Sequence, residues 1–258
     1  MAPTKPTILI IPGAWHTPDS YTKLKKALEA DGYDVHVPAL PTANGTRPPT
    51  ADLYGDVSSI RSYAESLLKD GRTVVALMHS YGGQVGSNAF YGLSTESRAK
   101  ASLPGGIAHL IYMAAYALFE GKSVADKFRE FIDDEVISQL LDVADDQTCV
   151  IRDPKLALLG DELNGAEAEA YLQTLARWNG AALYQGAKNA AWREMPVTYI
   201  SCTKDMTAPF EWQKTMIEGM RNEGREVEVL QWETNHSPHV TMTKEVADVV
   251  KKVAGGIN

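Results

Sequence analysis

VVALMHSYGG, residues 74–83, is the stretch that decides the fold of this chain. It begins as a continuous apolar run, which is typical of a strand buried in a parallel sheet. The run breaks at Ser80 before two glycines, and residues 84–91 can continue as a helix. Because Gly82 carries no Cβ, this helix can begin close against the strand. The stretch therefore predicts a strand, a sharp turn with Ser80 at its tip, and a helix.

The turn follows the pattern G-x-S-x-G except at its first position, where Met78 replaces glycine. In this pattern a serine stands exposed between a strand and a helix and acts as a nucleophile. Two interpretations are open from the motif alone: Ser80 is an activated nucleophile, or it is an incidental serine in a tight turn. The choice depends on whether a base and an acid reach the same place.

The length and the composition are those of one large α/β domain that can bury a substantial core. Of the 258 residues, 44% are hydrophobic and 22% are charged, as in ordinary globular proteins. The net charge of -8 disfavours nucleic acid and anionic membranes as partners. No stretch reaches the roughly 18 unbroken apolar residues of a transmembrane helix. We expect a small-molecule substrate, no nucleic acid and no membrane as partners, with a homodimer as an open alternative to a monomer.

Two features bear on the compartment and on cofactors. The first seven residues, MAPTKPT, lead almost at once into an apolar run and lack the pattern of a secretory signal. Cys149 and Cys202 are far apart and give neither a metal-ligand spacing nor a disulfide framework. We therefore expect a cytoplasmic protein that needs no metal and no cofactor.

Short apolar runs alternate with amphipathic stretches in the first part of the chain. The runs predict strands over residues 7–11, 33–37, 74–79 and 107–114. Helices are predicted to begin at Pro18, to cover residues 52–69, and to follow Ser80. Because the strands are too apolar to have a face in water, the expected fold class is α/β, with a mostly parallel, doubly wound sheet.

The alternation breaks between Tyr116 and Met195. This stretch predicts helices over residues 124–143 and 166–178 and no buried strand. We therefore expect a core made of residues 1–115 and 196–258, with a helical lid inserted over residues 116–195. The aromatic residues of the insertion either pack it onto the core or form the wall of a pocket. They are Phe119, Phe128, Phe131, Tyr171, Trp178, Tyr184 and Trp192.

The alternation then resumes and completes a set of candidate groups. Strands are predicted over residues 197–202 and 227–232, with a helix over 210–222 between them and an amphipathic helix at the end. Ligands bind beyond the carboxyl ends of the strands in an open parallel sheet. Four loops at that edge carry candidate groups, namely Gly13-Ala14, Ser80-Tyr81, Asp205 and His236. The order Ser, Asp, His along the chain is the one expected for a hydrolase with such a sheet.

The chemistry assigns a different task to each group. A serine hydroxyl is a weak nucleophile at neutral pH, so Ser80 needs the neutral imidazole of His236 to take its proton. Asp205 would hold that ring in one tautomer and stabilise the imidazolium. The backbone N–H groups of Ala14 and Tyr81 would donate hydrogen bonds to the oxyanion that forms.

Other residues are weaker candidates for these tasks or line the pocket. Glu233 is a second candidate for the acid, although its closeness to His236 in sequence is more typical of a solvated loop charge. His36 and His109 lie at or inside strands, and His79 holds a position in the turn whose side chain usually points back into the fold. The residues expected to line the substrate pocket are Trp15, His16, Tyr116 and His239.

The chain resembles the α/β-hydrolase superfamily from end to end. The resemblance is greatest to a compact branch that contains plant methylesterases, hydroxynitrile lyases, and fungal and bacterial esterase-like relatives. It rests on Pro12-Gly13-Ala14-Trp15 with residues 21–24, and on residues 79–83, 202–209, 211–213 and 235–238. It implies that Ser80 is the nucleophile, Asp205 the acid and His236 the base.

Three residues depart from the pattern of this family. Pro12 stands where a histidine often precedes Gly13, and Met78 replaces the first glycine of the turn, but backbone N–H groups still make the oxyanion hole. Ser237 stands where the hydroxynitrile lyases of this branch place a lysine that stabilises cyanide. The resemblance therefore disfavours cyanohydrin chemistry. The serine at position 80 also distinguishes this chain from dehalogenases and epoxide hydrolases, which have an aspartate as the nucleophile.

The sequence therefore predicts a serine hydrolase that forms an acyl-enzyme on Ser80. Its expected substrate is a carboxylic ester of a small to medium apolar molecule, with a lactone or a thioester as alternatives. One further alternative is an enzyme that uses the same triad to cleave C–C bonds or to process polyketide-like intermediates. Another is a ligand-sensing protein with a hydrolase fold, which an intact triad disfavours.

Overall fold

The strands follow the predicted alternation. The computed structural model describes residues 5–257, so residues 1–4 of the stretch considered for a secretory signal lie outside it. The bounds predicted for the first strand and for the last two of the main sheet agree with the structure. The second strand is shorter than predicted because it pairs only with Ile8 and Leu9. The strands are β1 Thr7–Ile11, β2 Val35–His36, β3 Thr73–His79, β4 Gly106–Met113, β5 Leu141–Val143, β6 Thr148–Ile151, β7 Trp178–Asn179, β8 Val197–Cys202 and β9 Val227–Trp232.

Six of the strands within residues 5–257 form one sheet, in the order β2-β1-β3-β4-β8-β9. Every neighbouring pair in it is parallel. The predicted parallel sheet of the α/β class is thus confirmed. The direction in which successive strands are added to the sheet reverses after β2: β2 lies on one side of β1, and β3 lies on the other side. A crevice at the carboxyl ends of the strands beside such a reversal is the usual ligand site.

Helices cover both faces of this sheet. Ile8 and Ile10 of β1 pack on one face with the first and last long helices, while Leu9 and Ile11 belong to the core on the other face. Because successive side chains of a strand point to opposite faces, β1 has to be apolar throughout. No helix within residues 5–257 is both long enough and apolar enough to cross a membrane. The helices are α1 Thr22–Ala30, α2 Leu53–Lys69, α3 Gly82–Phe90, α4 Thr95–Lys100, α5 Val124–Arg129, α6 Asp134–Leu140, α7 Pro154–Leu159, α8 Gly165–Leu172, α9 Phe210–Asn222, α10 Pro238–Thr241 and α11 Thr243–Gly255.

The segment between β4 and β8 differs from the prediction. It contains the helices α5 to α8, but also a small antiparallel sheet in the order β5-β6-β7. The prediction of a segment with helices and no strand was therefore wrong for β5, β6 and β7. These strands have three, four and two residues, which is too short for an alternating pattern to stand out in the sequence. The helix predicted over residues 124–143 is divided into α5 and α6, and α6 ends at Leu140 because β5 begins at the next residue and pairs with β6. The helix predicted over residues 166–178 ends at Leu172, before β7.

Candidate active site

Ser80 stands at the tip of a sharp turn between β3 and α3. Its φ of 54° lies in the left-handed region, which a residue with a side chain adopts only where its surroundings enforce it. Gly82 allows the turn, because a Cβ there would lie 2.5 Å from the carbonyl oxygen of Ile11. A Cβ on Gly83 would lie 2.9 Å from the backbone of Tyr116. This is the strand-turn-helix geometry of a nucleophile elbow.

Three side chains from three loops meet at this turn. The Oγ of Ser80 lies 2.9 Å from Nε2 of His236, and Nδ1 of His236 lies 2.8 Å from Oδ2 of Asp205. A carboxylate can only accept a hydrogen bond, so Nδ1 carries the ring proton and Nε2 accepts the bond from the hydroxyl. The exposed fractions of the three residues are 4%, 1% and 5%, so water screens these contacts little. The arrangement can pass the proton of a serine hydroxyl to an imidazole held beside a carboxylate.

The loop after β8 holds Asp205 with further hydrogen bonds. Its Oδ1 accepts from the backbone N–H groups of Thr207 and Ala208, both at 2.8 Å. Its Oδ2 also accepts from Nε2 of Gln213, at 3.3 Å. Gln213 in turn accepts from the N–H of Cys202, at 3.0 Å. The sequence reasoning gave no task to Gln213, since only the fold shows that the first turns of α9 face this loop.

The backbone N–H groups of Ala14 and Tyr81, beside Ser80, donate to no acceptor within residues 5–257. Gly13 brings the loop after β1 against the elbow, because a Cβ on it would lie 2.9 Å from the Cβ of Ser80. Trp15 then turns the chain with a φ of 64°. Both predicted oxyanion-hole residues therefore adjoin Ser80, in sequence or in space, with their N–H groups unused.

An apolar cavity of about 170 Å³ lies between the loop after β1, the loop after β8 and the segment between β4 and β8. Met206 and Thr207, which follow Asp205 in the chain, form part of its wall. Of the four residues predicted to line a pocket, Trp15 does so, whereas His16, Tyr116 and His239 are absent from its lining. Tyr116 is buried, and its hydroxyl donates to the carbonyl of Thr207. The apolar walls are Trp15, Phe128, Leu141, Ile151, Leu183 and Trp212.

A family model described as the alpha/beta hydrolase family matches residues 8–249. The chain belongs to the α/β-hydrolase family. A probable hydrolase from Phoma sp. is 26% identical over 254 residues, which cover 98% of this chain and 99% of that relative. The structure of polyneuridine aldehyde esterase has a TM-score of 0.75 at 17% identity and covers 97% of this chain and 100% of its own. A pyrethroid hydrolase has a TM-score of 0.73 at 19% identity, with 98% of each chain covered.

Within this α/β-hydrolase, three buried histidines lie directly behind the elbow: His16, His79 and His239. Burial lowers the pKa of His16 to about 3, although its hydrogen bond to the carbonyl of Ala14 raises it. Burial and repulsion from neighbouring histidines hold the pKa values of His79 and His239 well below the usual range. All three rings are therefore neutral at physiological pH.

The same three histidines each offer a nitrogen within 4.8 Å of the others, a spacing that a metal ion requires. Both nitrogens of His16 and of His79 are, however, already used in hydrogen bonds of 2.6 to 2.9 Å. The donor set therefore does not fit a metal ion, because four hydrogen bonds compete with it. Both nitrogens of His239 lack a partner within the described residues.

His79 links three of the loops at this edge of the sheet. Its Nε2 donates to the carbonyl of His236 at 2.9 Å, and its Nδ1 accepts from the hydroxyl of Tyr21 at 2.7 Å. The same hydroxyl accepts from the N–H of Gly13 at 2.9 Å. The side chain thus points back into the fold, as expected from the elbow position. It ties the loop of the proposed base to the loop after β1.

A buried carboxyl group that the sequence did not single out lies behind Tyr81. Asp56 of α2 accepts hydrogen bonds from the N–H and the hydroxyl of Thr42, at 2.9 and 2.6 Å. It also accepts from the hydroxyl of Tyr81, at 3.0 Å. Burial raises the pKa of Asp56 to about 6, although these hydrogen bonds lower it. The contact fixes the side chain of the residue that follows Ser80.

The other polar candidates have structural partners away from Ser80. His36 bonds to the hydroxyl of Tyr63, and His109 bonds to the hydroxyl of Thr198. Glu233 forms an ion pair with Lys204 at 3.0 Å, and its side chain is 79% exposed. It is a solvated loop charge, whereas Asp205 contacts His236.

Proposed function

We propose that this α/β-hydrolase is a serine esterase that cleaves carboxylic esters through an acyl-enzyme. The observation that carries the proposal is the continuous contact from Ser80 Oγ to His236 Nε2, and from His236 Nδ1 to Asp205. In a neutral imidazole with its proton fixed on Nδ1, Nε2 is free to act as a base. Lactones and thioesters have the same reacting carbonyl and belong to the same proposal.

The first half-reaction forms the acyl-enzyme. The Oγ of Ser80 bonds to the ester carbonyl carbon while its proton passes to Nε2 of His236. The N–H groups of Ala14 and Tyr81 donate to the negative oxygen of the tetrahedral intermediate. The C–O bond then breaks, and the alkoxide leaves as the alcohol with the proton from His236. Asp205 stabilises the imidazolium between these two steps.

The second half-reaction restores the enzyme. A water molecule gives one proton to His236 and attacks the acyl carbon. The bond to Ser80 then breaks, and Oγ recovers its proton from His236. The products are the alcohol and the carboxylic acid, and no oxidant, metal or cofactor takes part in this balance.

The apolar cavity supports a substrate with an apolar group about the size of one aromatic ring. A cavity of about 150 Å³ is large enough for benzene, and this one, which is partly open to solvent, has about 170 Å³. Among the similar structures, one is named an esterase and another a pyrethroid hydrolase. We propose Trp15 as a residue that contacts the substrate, and residues 116–195 as a lid. The proposed substrate contacts do not include His16, Tyr116 or His239, because these residues are absent from the lining of the cavity.

The test is the hydrolysis of p-nitrophenyl esters by the purified chain, with acetate, benzoate and phenylacetate as acyl groups. We expect a burst of p-nitrophenol equal to the enzyme concentration wherever deacylation limits turnover. Ser80→Ala should lower kcat by about 10⁴-fold or more. Leu103→Ala, an exposed residue far from the cavity, is the matched control and should retain the wild-type rate. Wild-type protein that releases no p-nitrophenol from any of these esters would contradict the proposal.

A further inference from the structure

A chain of three buried hydrogen bonds joins the loop of His236, the segment between β4 and β8, and the loop after β1. Ser237 Oγ lies 2.8 Å from the hydroxyl oxygen of Tyr171, which lies 2.6 Å from Nε2 of His16. Nδ1 of His16 lies 2.7 Å from the carbonyl oxygen of Ala14. The chain therefore ends on the residue whose N–H is proposed to bind the oxyanion.

The direction of each hydrogen bond in this chain follows from its last acceptor. A carbonyl oxygen only accepts, so Nδ1 of His16 carries the proton and donates to Ala14. Nε2 of the neutral ring must then accept from Tyr171, whose oxygen accepts in turn from Ser237. Burial keeps the pKa of His16 far below physiological pH, which excludes a second ring proton. One arrangement of protons satisfies every member of the chain.

The peptide unit that carries the Ala14 N–H is held on both sides. On one side the N–H of Gly13 donates to Tyr21 at 2.9 Å. On the other side the carbonyl of Ala14 accepts from His16. The Ala14 N–H itself has no acceptor within the described residues. The carbonyl of Gly13, in the same peptide unit as the Ala14 N–H, accepts from the backbone N–H of His16 at 3.3 Å. Oxyanion-hole donors lower the barrier only if they are aimed before the reaction, and these three anchors together hold the aim.

The segment between β4 and β8 also fastens the next residues of this loop. The N–H of Ala176 donates to the carbonyl of Trp15 at 2.7 Å, and the hydroxyl of Thr17 donates to the carbonyl of Thr174 at 2.9 Å. Trp15 keeps a left-handed φ of 64°, which needs such external support. Residues 171–176 therefore hold the loop at several points, and Tyr171 is the point that reaches His16.

We propose that His16 is a positioning residue that aims the Ala14 N–H at the oxyanion, and that Tyr171 fixes the tautomer in which His16 does so. The inference rests on the proposed esterase function and goes beyond it, because it assigns tasks to two residues that touch no reacting atom. It also gives the segment between β4 and β8 a part in catalysis besides covering the site.

The test compares two substitutions of His16 that differ in one hydrogen bond. In His16→Asn the amide nitrogen lies near the position of Nδ1 and can still donate to Ala14, whereas His16→Leu cannot donate. Loss of a whole oxyanion-hole donor costs about 10²- to 10³-fold in kcat. We expect His16→Leu to lower kcat about 30-fold with KM within about twofold, because a contact made only in the transition state changes kcat alone. The logarithm of kcat for His16→Asn should lie at least halfway between the value for His16→Leu and the value for wild type.

Tyr171→Phe tests the second part of the proposal. It removes the hydroxyl that fixes His16 and should lower kcat about fivefold, as expected for one net hydrogen bond. Tyr112→Phe is the matched control, because Tyr112 is also buried and, among residues 5–257, its hydroxyl bonds only to Ser87 of α3, outside the chain of hydrogen bonds to His16. A trifluoromethyl ketone should bind each variant more weakly in proportion to its kcat, while the carboxylic acid product binds unchanged.

The outcomes separate this inference from the proposed function. Wild-type protein without esterase activity overturns the proposed function and the inference with it. Active wild type together with a His16→Leu variant of unchanged kcat overturns the inference alone. So does a His16→Asn variant as impaired as His16→Leu, or a loss that appears in KM. If His16→Leu does not fold, the decision passes to Tyr171→Phe, whose unchanged kcat and ketone affinity would overturn the inference.

Discussion

Met78 and Gly86 fit against each other across the elbow: a Cβ on Gly86 would lie 2.3 Å from the sulfur of Met78. The usual pattern has a glycine at position 78, which gives the following helix room to pack on the strand. In this chain the strand residue is large, and the room comes from a glycine one turn into α3. The departure from the G-x-S-x-G pattern is therefore compensated by a second residue and leaves the elbow intact.

Gly86→Ala should lower the free energy of unfolding by about 2 kcal/mol, the usual cost of overpacking a core. Helix propensity alone predicts the opposite sign, since alanine stabilises a helix by about 1 kcal/mol over glycine. Urea denaturation measures the change. Gly255→Ala is the control, because nothing lies within 4 Å of a Cβ at that site, and it should not destabilise. Met78→Ala combined with Gly86→Ala should cost less than the sum of the two single changes; additive losses would contradict the account.

His239→Leu should raise the free energy of unfolding at pH 7.5 by about 1 kcal/mol. Both ring nitrogens of His239 are buried without a partner within the described residues, and an unsatisfied buried polar group costs about 1 to 3 kcal/mol. The lost stacking on Tyr21 offsets part of the gain. Denaturation of both proteins with urea provides the measurement. A variant less stable than wild type would show that His239 contributes an interaction absent from this structure.

His239→Leu should also change how the free energy of unfolding depends on pH. The folded pKa of His239 is depressed, so the unfolded chain binds a proton below about pH 6.5 while the folded chain does not. Stability is therefore lost as the pH falls, by about 1.4 kcal/mol per pH unit for this residue. His239→Leu should flatten the dependence by that amount between pH 6 and pH 5. An unchanged slope would mean that the folded protein protonates His239.

Asp56 should change the pH dependence of the free energy of unfolding in the direction opposite to that of His239. Its folded pKa of about 6 is above the value near 4 in an unfolded chain, so its stabilising effect is present below pH 4. The effect is lost as the pH rises through 6. The stability of wild type relative to Asp56→Asn should therefore fall by about 3 kcal/mol between pH 4 and pH 7.5. Urea denaturation at several pH values measures this difference, and a difference independent of pH would contradict the assignment.

Asp205→Asn should lower kcat for an aryl ester by about 10⁴-fold with little change in KM. The amide can donate a hydrogen bond to Nδ1 of His236, which moves the ring proton to Nε2 and leaves no base facing Ser80. Glu233→Gln is the control, since Glu233 is exposed and pairs with Lys204. If Glu233→Gln were as damaging as Asp205→Asn, the acid would have been assigned to the wrong loop.

Most of the main sheet was predictable from the sequence because β1, β3 and β8 are buried along nearly their whole length. The edge strand β9 carries exposed Glu228 and Gln231, and its alternation of apolar and polar residues also indicates a strand. The contacts of His236 with Ser80 and with Asp205 were predictable for a related reason. Parallel strands bring their carboxyl ends to one edge, so loops far apart in sequence meet there.

The sequence did not reveal what depends on pairing between distant short segments. β6 has four residues and pairs with strands on both sides, but nothing in those residues indicates its partners. His16 was assigned to the pocket because its loop lies at the active edge. Its ring turns inward because Tyr171, more than a hundred residues later, provides a hydroxyl for it. The hydrogen bond from Gln213 to Asp205 likewise depends on the position of α9 beside the loop after β8, which the sequence does not indicate.

The central claim is that His236 activates Ser80 as a nucleophile, and a fluorophosphonate tests it most directly. Mass spectrometry of the folded chain after brief treatment should show one phosphonyl adduct, located on Ser80, together with loss of ester hydrolysis. The adduct should be absent from Ser80→Ala and should form at least about 100 times more slowly in His236→Ala. A folded wild-type chain that leaves Ser80 unlabelled, or that is labelled equally fast without His236, would contradict the claim.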